Sequence, residues 1–152
     1  MPTKDFADKA ENLMRAETGE HSIGAALNAT SEQDMKAIGA INKASELVDE
    51  AVELLVEKRT GVLDLKLWQM AAELEYASFL ISVNHRLADY LPSLSDVDQN
   101  TETLDSLIVR TQETLENVAT ILLSNPKDAY DRAKKATTLI RRAQSILRKT
   151  DR

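Results

Sequence analysis

The sequence predicts an all-α protein: an antiparallel up-and-down bundle of four long helices with a short helix added at the N-terminus. Three observations lead there. Apolar residues recur at alternating three- and four-residue spacing through four long stretches, and no stretch shows the period-two alternation of a half-buried strand. Only four Gly, three Pro and 4% aromatic residues occur in 152 positions, which is poor material for a turn-rich β fold and good material for helices. The connections at 60–62 and 124–125 are tight, and tight connections make consecutive helices antiparallel neighbours.

The first helix is expected over 3–17, where Phe6, Ala10 and Leu13 lie four and three apart. Gly19 and Gly24 interrupt the next stretch, so residues 18–30 read as a loop. At Thr30–Ser31 a hydroxyl can accept from an orphan backbone N–H, and Gln33 or Asp34 sits where a capping box places its partner. The second helix then runs to Arg59, with Gly61 expected to supply the left-handed residue that ends it. Ile38, Ile41, Val48, Val52 and Leu55 form one apolar seam. Ala37, Ala40, Ala44, Leu47, Ala51 and Leu54 form a second, adjacent seam. Lys36, Lys43, Glu46, Glu50, Glu53 and Glu57 make a solvated face opposite.

The third helix is expected over 63–91, stopped by Pro92. It is apolar on two faces. Leu67, Leu74, Ala77, Ile81 and Ala88 occupy one face; Leu65, Ala72, Tyr76, Phe79, Val83 and Tyr90 occupy the other. Such a helix is either central within its domain or shared with a second copy of the chain. Trp68 and the Tyr76/Phe79/Tyr90 face read as packing inside the bundle or along a dimer seam.

A fourth helix over 101–123 comes after the polar connection PSLSDVDQNT, with Leu104, Ile108, Thr111, Leu115, Val118 and Leu122 as its seam. Asn125 then caps a fifth helix over 126–149, Pro126 takes its first position, and Asp128 places a negative charge in its first turn. Its seam is Ala129, Ala133, Ala136, Ile140, Ala143 and Leu147. The whole chain, 1–152, reads as one domain.

Hydrophobic residues make up 43% of the chain and charged residues 29%, as in an ordinary soluble globular protein. Cysteine is absent, which removes disulfides, thiolate nucleophiles and cysteine-bound metals. The opening MPTKDFADKAEN has no apolar core of the kind a secretory signal needs, and no apolar run approaches the ~20 residues that span a bilayer. The reading is a cytoplasmic protein without a membrane partner. The net charge of −6 is unevenly spread: residues 127–152 hold nine Lys/Arg against three Asp, while 1–126 hold ten Lys/Arg against 22 Asp/Glu.

The basic residues of the fifth helix come in pairs seven apart. Lys134, Arg141 and Arg148 lie on one flank of the apolar seam, and Lys135, Arg142 and Lys149 on the other. A helix that reads nucleic acid gathers its cations on one exposed face and interleaves aromatics for stacking, so a nucleic-acid partner is not expected. Charge complementarity within the bundle is expected instead, with Glu46, Glu50, Glu53 and Glu57 of the second helix and Asp105, Glu113 and Glu116 of the fourth available as partners, and an external acidic protein stands as the alternative.

Three chemistries have partial counterparts in the sequence. The stretch DEAVE (Asp49, Glu50, Glu53) resembles half the signature of all-α nucleotide pyrophosphatases of the MazG type, in which E-E-x-x-E faces E-x-x-D across magnesium. Asp49 stands where that pattern has its first Glu, and Tyr76 and Ser78 follow Glu73 and Glu75 where Asp is required. The run VNHRLADYL resembles the phosphoacceptor box of certain sensor histidine kinases, which implies that His85 would accept a phosphoryl group; Asp89 stands near the place of the usual Asn. Ferritin-like di-iron chemistry needs Glu-x-x-His twice, but Thr18 and Ser82 precede His21 and His85.

The sequence thus points to a non-enzymatic protein that works by protein–protein association. The expected partner is a second copy of the chain, giving a dimer, or another protein, with Tyr76, Phe79, Val83 and Tyr90 as the association face. No cofactor, metal or catalytic residue is expected. Metal-dependent nucleotide hydrolysis at Asp49, Glu50 and Glu53, and phosphotransfer at His85, stand as the enzymatic alternatives.

Overall fold

The computed structural model describes residues 19–92 and 102–150, with side chains at 32–92 and 102–149. The helix expected over 3–17 and nearly all of the 92–101 connection lie outside the described residues. The described secondary structure is all helix, with no strand among these residues. Five helices occur in order among the described residues: α1 Gly19–Glu57, α2 Thr60–Asn84, α3 Leu104–Leu115, α4 Val118–Ser124 and α5 Pro126–Thr150.

The elements depart from the expected boundaries at four places. The α1 helix spans Gly19–Glu57, so no loop occupies 19–30 and Thr30–Ser31 lie inside the helix, not at its start. An isolated Gly costs a helix interior only about 1 kcal/mol, too little to interrupt one this long. At the other end of α1 the left-handed residue is Lys58, at φ 59°, and Gly61 lies inside α2. The Arg59 amide donates to the Leu54 carbonyl at 3.1 Å and the Lys58 amide to Leu55 at 3.2 Å, the paired bonds of a Schellman turn.

The α2 helix stops at Asn84, seven residues before the expected end. Arg86 turns left-handed at φ 56°, and the Leu87 amide reaches back 2.9 Å to the Ser82 carbonyl. This brings Leu87 into the core and leaves Ala88 exposed. The fourth expected helix is two: Glu116 is extended (φ −60°, ψ 129°) and Asn117 is left-handed at φ 62°, separating α3 from α4. Asn tolerates that conformation better than other residues with a Cβ.

The helices pack in a ring. Both α1 and α5 lie against α2 on one side and against α3 and α4 on the other. Ile41, Leu63, Leu67, Met70, Leu74, Ile81, Leu107, Ile108, Leu122, Leu139, Ile140 and Leu147 are the largest fully buried side chains. Alanines line the inner faces of α1 (Ala37, Ala40, Ala44, Ala51) and of α5 (Ala129, Ala133, Ala136, Ala143), which lets helix axes approach closely. Buried hydroxyls are satisfied within their own helices: Ser78 donates to the Leu74 carbonyl, Thr111 to Leu107 and Thr137 to Ala133, at 2.7–2.8 Å. At the start of α5, Asn125 Oδ1 accepts from the Asp128 amide at 3.2 Å, as the sequence leads one to expect. Among the described residues no helix is long and apolar enough to cross a membrane.

Candidate functional site

The inward face of α2 buries Leu63, Leu67, Met70, Leu74, Ala77 and Ile81. Its opposite face is apolar too, and it is open to solvent. Leu65 is 54% exposed, Trp68 59%, Tyr76 47%, Phe79 64% and Val83 51%, and Ala72 is exposed between them. Their spacings of three and four place all six within an arc of about 80° on a straight helix. The stripe they form is ~27 Å long at 1.5 Å per residue. Other large exposed apolar side chains (Met35, Val56, Leu91, Val109, Leu123) are scattered over the remaining elements. Scattered apolar residues are normal on a protein surface, whereas a contiguous run of this length is not.

Three of the four residues expected on an association face therefore lie on this stripe. Tyr90 does not. Because α2 ends early, Tyr90 falls in the subsequent turn and packs on α5, its ring 6.0 Å from that of Tyr130. Its hydroxyl donates to Asp131 Oδ2 at 2.9 Å, and Lys127 Nζ stands 5.4 Å from its ring centre. The bond to the Asp131 carboxylate, with a smaller contribution from burial, raises the phenol above its ordinary value. Trp68, expected to pack inside the bundle or along a dimer seam, lies on the stripe, with the widest of its three rings.

His85 ties two helices together. Its Nε2 lies 2.9 and 3.0 Å from the two carboxylate oxygens of Asp34, and Asn84 Nδ2 donates to Asp34 Oδ1 at 2.9 Å. Asp34 is 6% exposed and gains two partners from the end of α2. One ring nitrogen of His85, Nε2, is thus engaged on the Asp34 carboxylate and joins the end of α2 to α1. The sequence offers Asp34 only as a possible cap residue; no local pattern marks its bond to His85, fifty-one residues later.

The acidic trio of α1 does not converge. Asp49 Oδ1 accepts from Gln112 Nε2 of α3 at 2.9 Å, while Glu50 meets Lys66 of α2 at 3.4 Å. Glu53 is exposed. Among the described residues no three Asp, Glu or His side chains gather as a metal-binding group.

On α5 the flank carrying Lys134, Arg141 and Arg148 turns toward α2. Arg141 pairs with Glu75 of α2, a partner outside the two helices anticipated for it. Lys134 Nζ stands 5.9 Å from the Tyr130 ring. Further along, Arg141, Gln144, Ser145 and Arg148, with Lys149 of the other flank, line a hollow of about 560 Å³ whose other wall is Trp68. No protein-family model matches the chain, and neither a curated protein nor a solved structure matches it.

Proposed function

We propose that this protein is a self-associating helical subunit whose work is association rather than catalysis. Two copies meet through the outward stripe of α2, packed against itself in antiparallel fashion. The observation that carries this reading is the order of residues along the stripe. Counted inward from its two ends, Leu65 pairs with Val83, Trp68 with Phe79, and Ala72 with Tyr76. A two-fold axis beside Leu74 would bring each of these pairs together twice: aliphatic on aliphatic, aromatic on aromatic, and the large Tyr76 over the small Ala72. Self-complementarity of this kind is what an isologous interface requires.

Size supports it as well. The three aromatics are about half exposed, and such side chains bury ~150–250 Å² each when fully covered. With Leu65 and Val83 the stripe offers on the order of 500 Å² per copy, or about 1,000 Å² for a pair, the lower bound of a specific interface. The monomer itself is proposed to be an antiparallel up-and-down bundle, in which α3 and α4 together make one arm. Contacts at both ends support that topology. Asp34, early in the described part of α1, meets His85 just past α2, while Glu50, late in α1, meets Lys66 early in α2. Likewise Tyr90 meets Asp131 and Glu75 meets Arg141, so later positions on α5 meet earlier ones on the α2 side.

The absence of native cysteine makes the proposed register directly testable. Ala72→Cys and Tyr76→Cys chains, mixed and mildly oxidised, are expected to cross-link to each other in preference to themselves. Preferential Ala72→Cys homodimers would mean a parallel pairing. Failure of every combination to cross-link would remove the α2 stripe as the interface.

A further inference from the structure

The hollow between α2 and α5 has a feature that packing does not account for. Gln144 is 3% exposed, and its side-chain Nε2 is buried with no hydrogen-bond partner among the described residues. A buried amide donor left unpaired is costly, and proteins retain few of them. This one belongs to a residue that lines the hollow, beside the Ser145 hydroxyl and two cations, Arg148 and Lys149, for which no carboxylate partner stands among the described residues. Residues 141, 144, 145 and 148 are spaced to share one face of α5, and all four line the hollow. Opposite them stands the indole of Trp68.

The chemistry of this lining selects its ligand. Two unpaired cations and an unpaired N–H call for an acceptor-rich anion, and guanidinium and ammonium groups together suit a phosphate or carboxylate. The indole offers a flat apolar wall on which a ring can stack. The volume, about 560 Å³, lies within the ~300–1,000 Å³ usual for small-molecule sites. Glu75 holds Arg141 at the margin, which leaves Arg148 and Lys149 to supply the attraction.

We infer that the Trp68–Gln144–Arg148 hollow is a binding site for a small anion carried on a planar apolar body, of the aryl phosphate or aryl carboxylate class. The anionic group sits against Arg148 and Lys149, and the Gln144 amide turns outward to donate to it, while the ring lies along Trp68. The site shares Trp68 with the proposed α2 stripe, while its polar lining stands on α5 alone.

Trp68 is the chain's single tryptophan, so its emission reports on the site without labelling. The full chain is titrated at constant ionic strength with phenyl phosphate, inorganic phosphate and phenol, while light scattering tracks its mass. Phenyl phosphate is expected to change Trp68 emission saturably at unchanged mass, with half-saturation at least tenfold below that of inorganic phosphate. Phenol is expected to have no saturable effect. Gln144→Leu and Arg148→Ala should each weaken the response at least tenfold with helix content retained by circular dichroism. Absence of saturation, an equal response to phenol, an unchanged response in both variants, or a response that tracks a change of mass would each overturn the assignment.

Discussion

Lys58 and Arg86 take the backbone through the left-handed region at φ 59° and 56°, at the two ends where α1 and α2 stop. Each carries a Cβ that opposes this conformation by about 1–2 kcal/mol, and a Gly there would lose part of that gain to greater freedom when unfolded. Lys58→Gly is therefore expected to stabilise the protein by about 0.5–1 kcal/mol, read as a raised midpoint in urea at constant slope. A lowered midpoint would show that the lysine side chain contributes something the Schellman turn does not. Asp34 makes the opposite case. Removing its carboxylate leaves Asn84 Nδ2 and His85 Nε2 without the acceptor they share. Asp34→Ala should destabilise by about 1–3 kcal/mol in the same assay, and a neutral result would mean that water replaces the carboxylate. Neither feature is legible in the sequence. Lys and Arg give no sign that they will turn left-handed, and a lone Asp near Thr30–Ser31 matches a capping pattern. Only the position of His85 fifty-one residues later reveals its purpose.

Among the elements, α5 is the most legible and the α3–α4 break the least. Asn125, Pro126 and Asp128 mark the start of α5 by three independent local effects, and each acts as its chemistry requires. The break at Glu116–Asn117 leaves no such mark, because the buried positions Thr111, Leu115, Val118 and Leu122 keep helical spacing straight across it. Hydrophobic periodicity reports which residues face the core, and the core does not require the backbone between them to be continuous. Periodicity misleads in the reverse sense at α2, where Tyr90 keeps the phase of Phe79 and Val83 although the helix has already ended. Gly61 misleads for a related reason, since a glycine near a tight turn looks like its left-handed residue. It sits within the first turn of α2 with nothing near its missing Cβ, and Gly39 is equally unobstructed within α1. Gly61→Ala and Gly39→Ala should each raise stability by up to about 1 kcal/mol, additively, by thermal melting. A loss in either would mean that the glycine admits a close neighbour in the assembled protein.

At the scale of the molecule, the two-faced character of α2 is legible in the sequence and its meaning is not. Periodicity gives two apolar faces, but a helix in the middle of a domain and a helix on an interface look alike until its neighbours are placed. The ring of α1, α2, α5 and the α3–α4 pair uses one face, which leaves Leu65, Trp68, Ala72, Tyr76, Phe79 and Val83 in water. The acidic body and basic C-terminal helix, by contrast, find partial expression in contacts inside the chain, with Arg141 on Glu75. The central claim is that the α2 stripe holds two copies together, and light scattering during size exclusion tests it most directly. Wild type, Phe79→Glu and the control Val109→Glu, which alters an exposed apolar residue on α3, are compared at low and high salt. The account predicts twice the 16.9 kDa chain mass for wild type and Val109→Glu at both salts, and the single chain mass for Phe79→Glu. A wild type that runs at the single chain mass throughout the micromolar range, with Trp68 emission unaltered by Phe79→Glu, would contradict it.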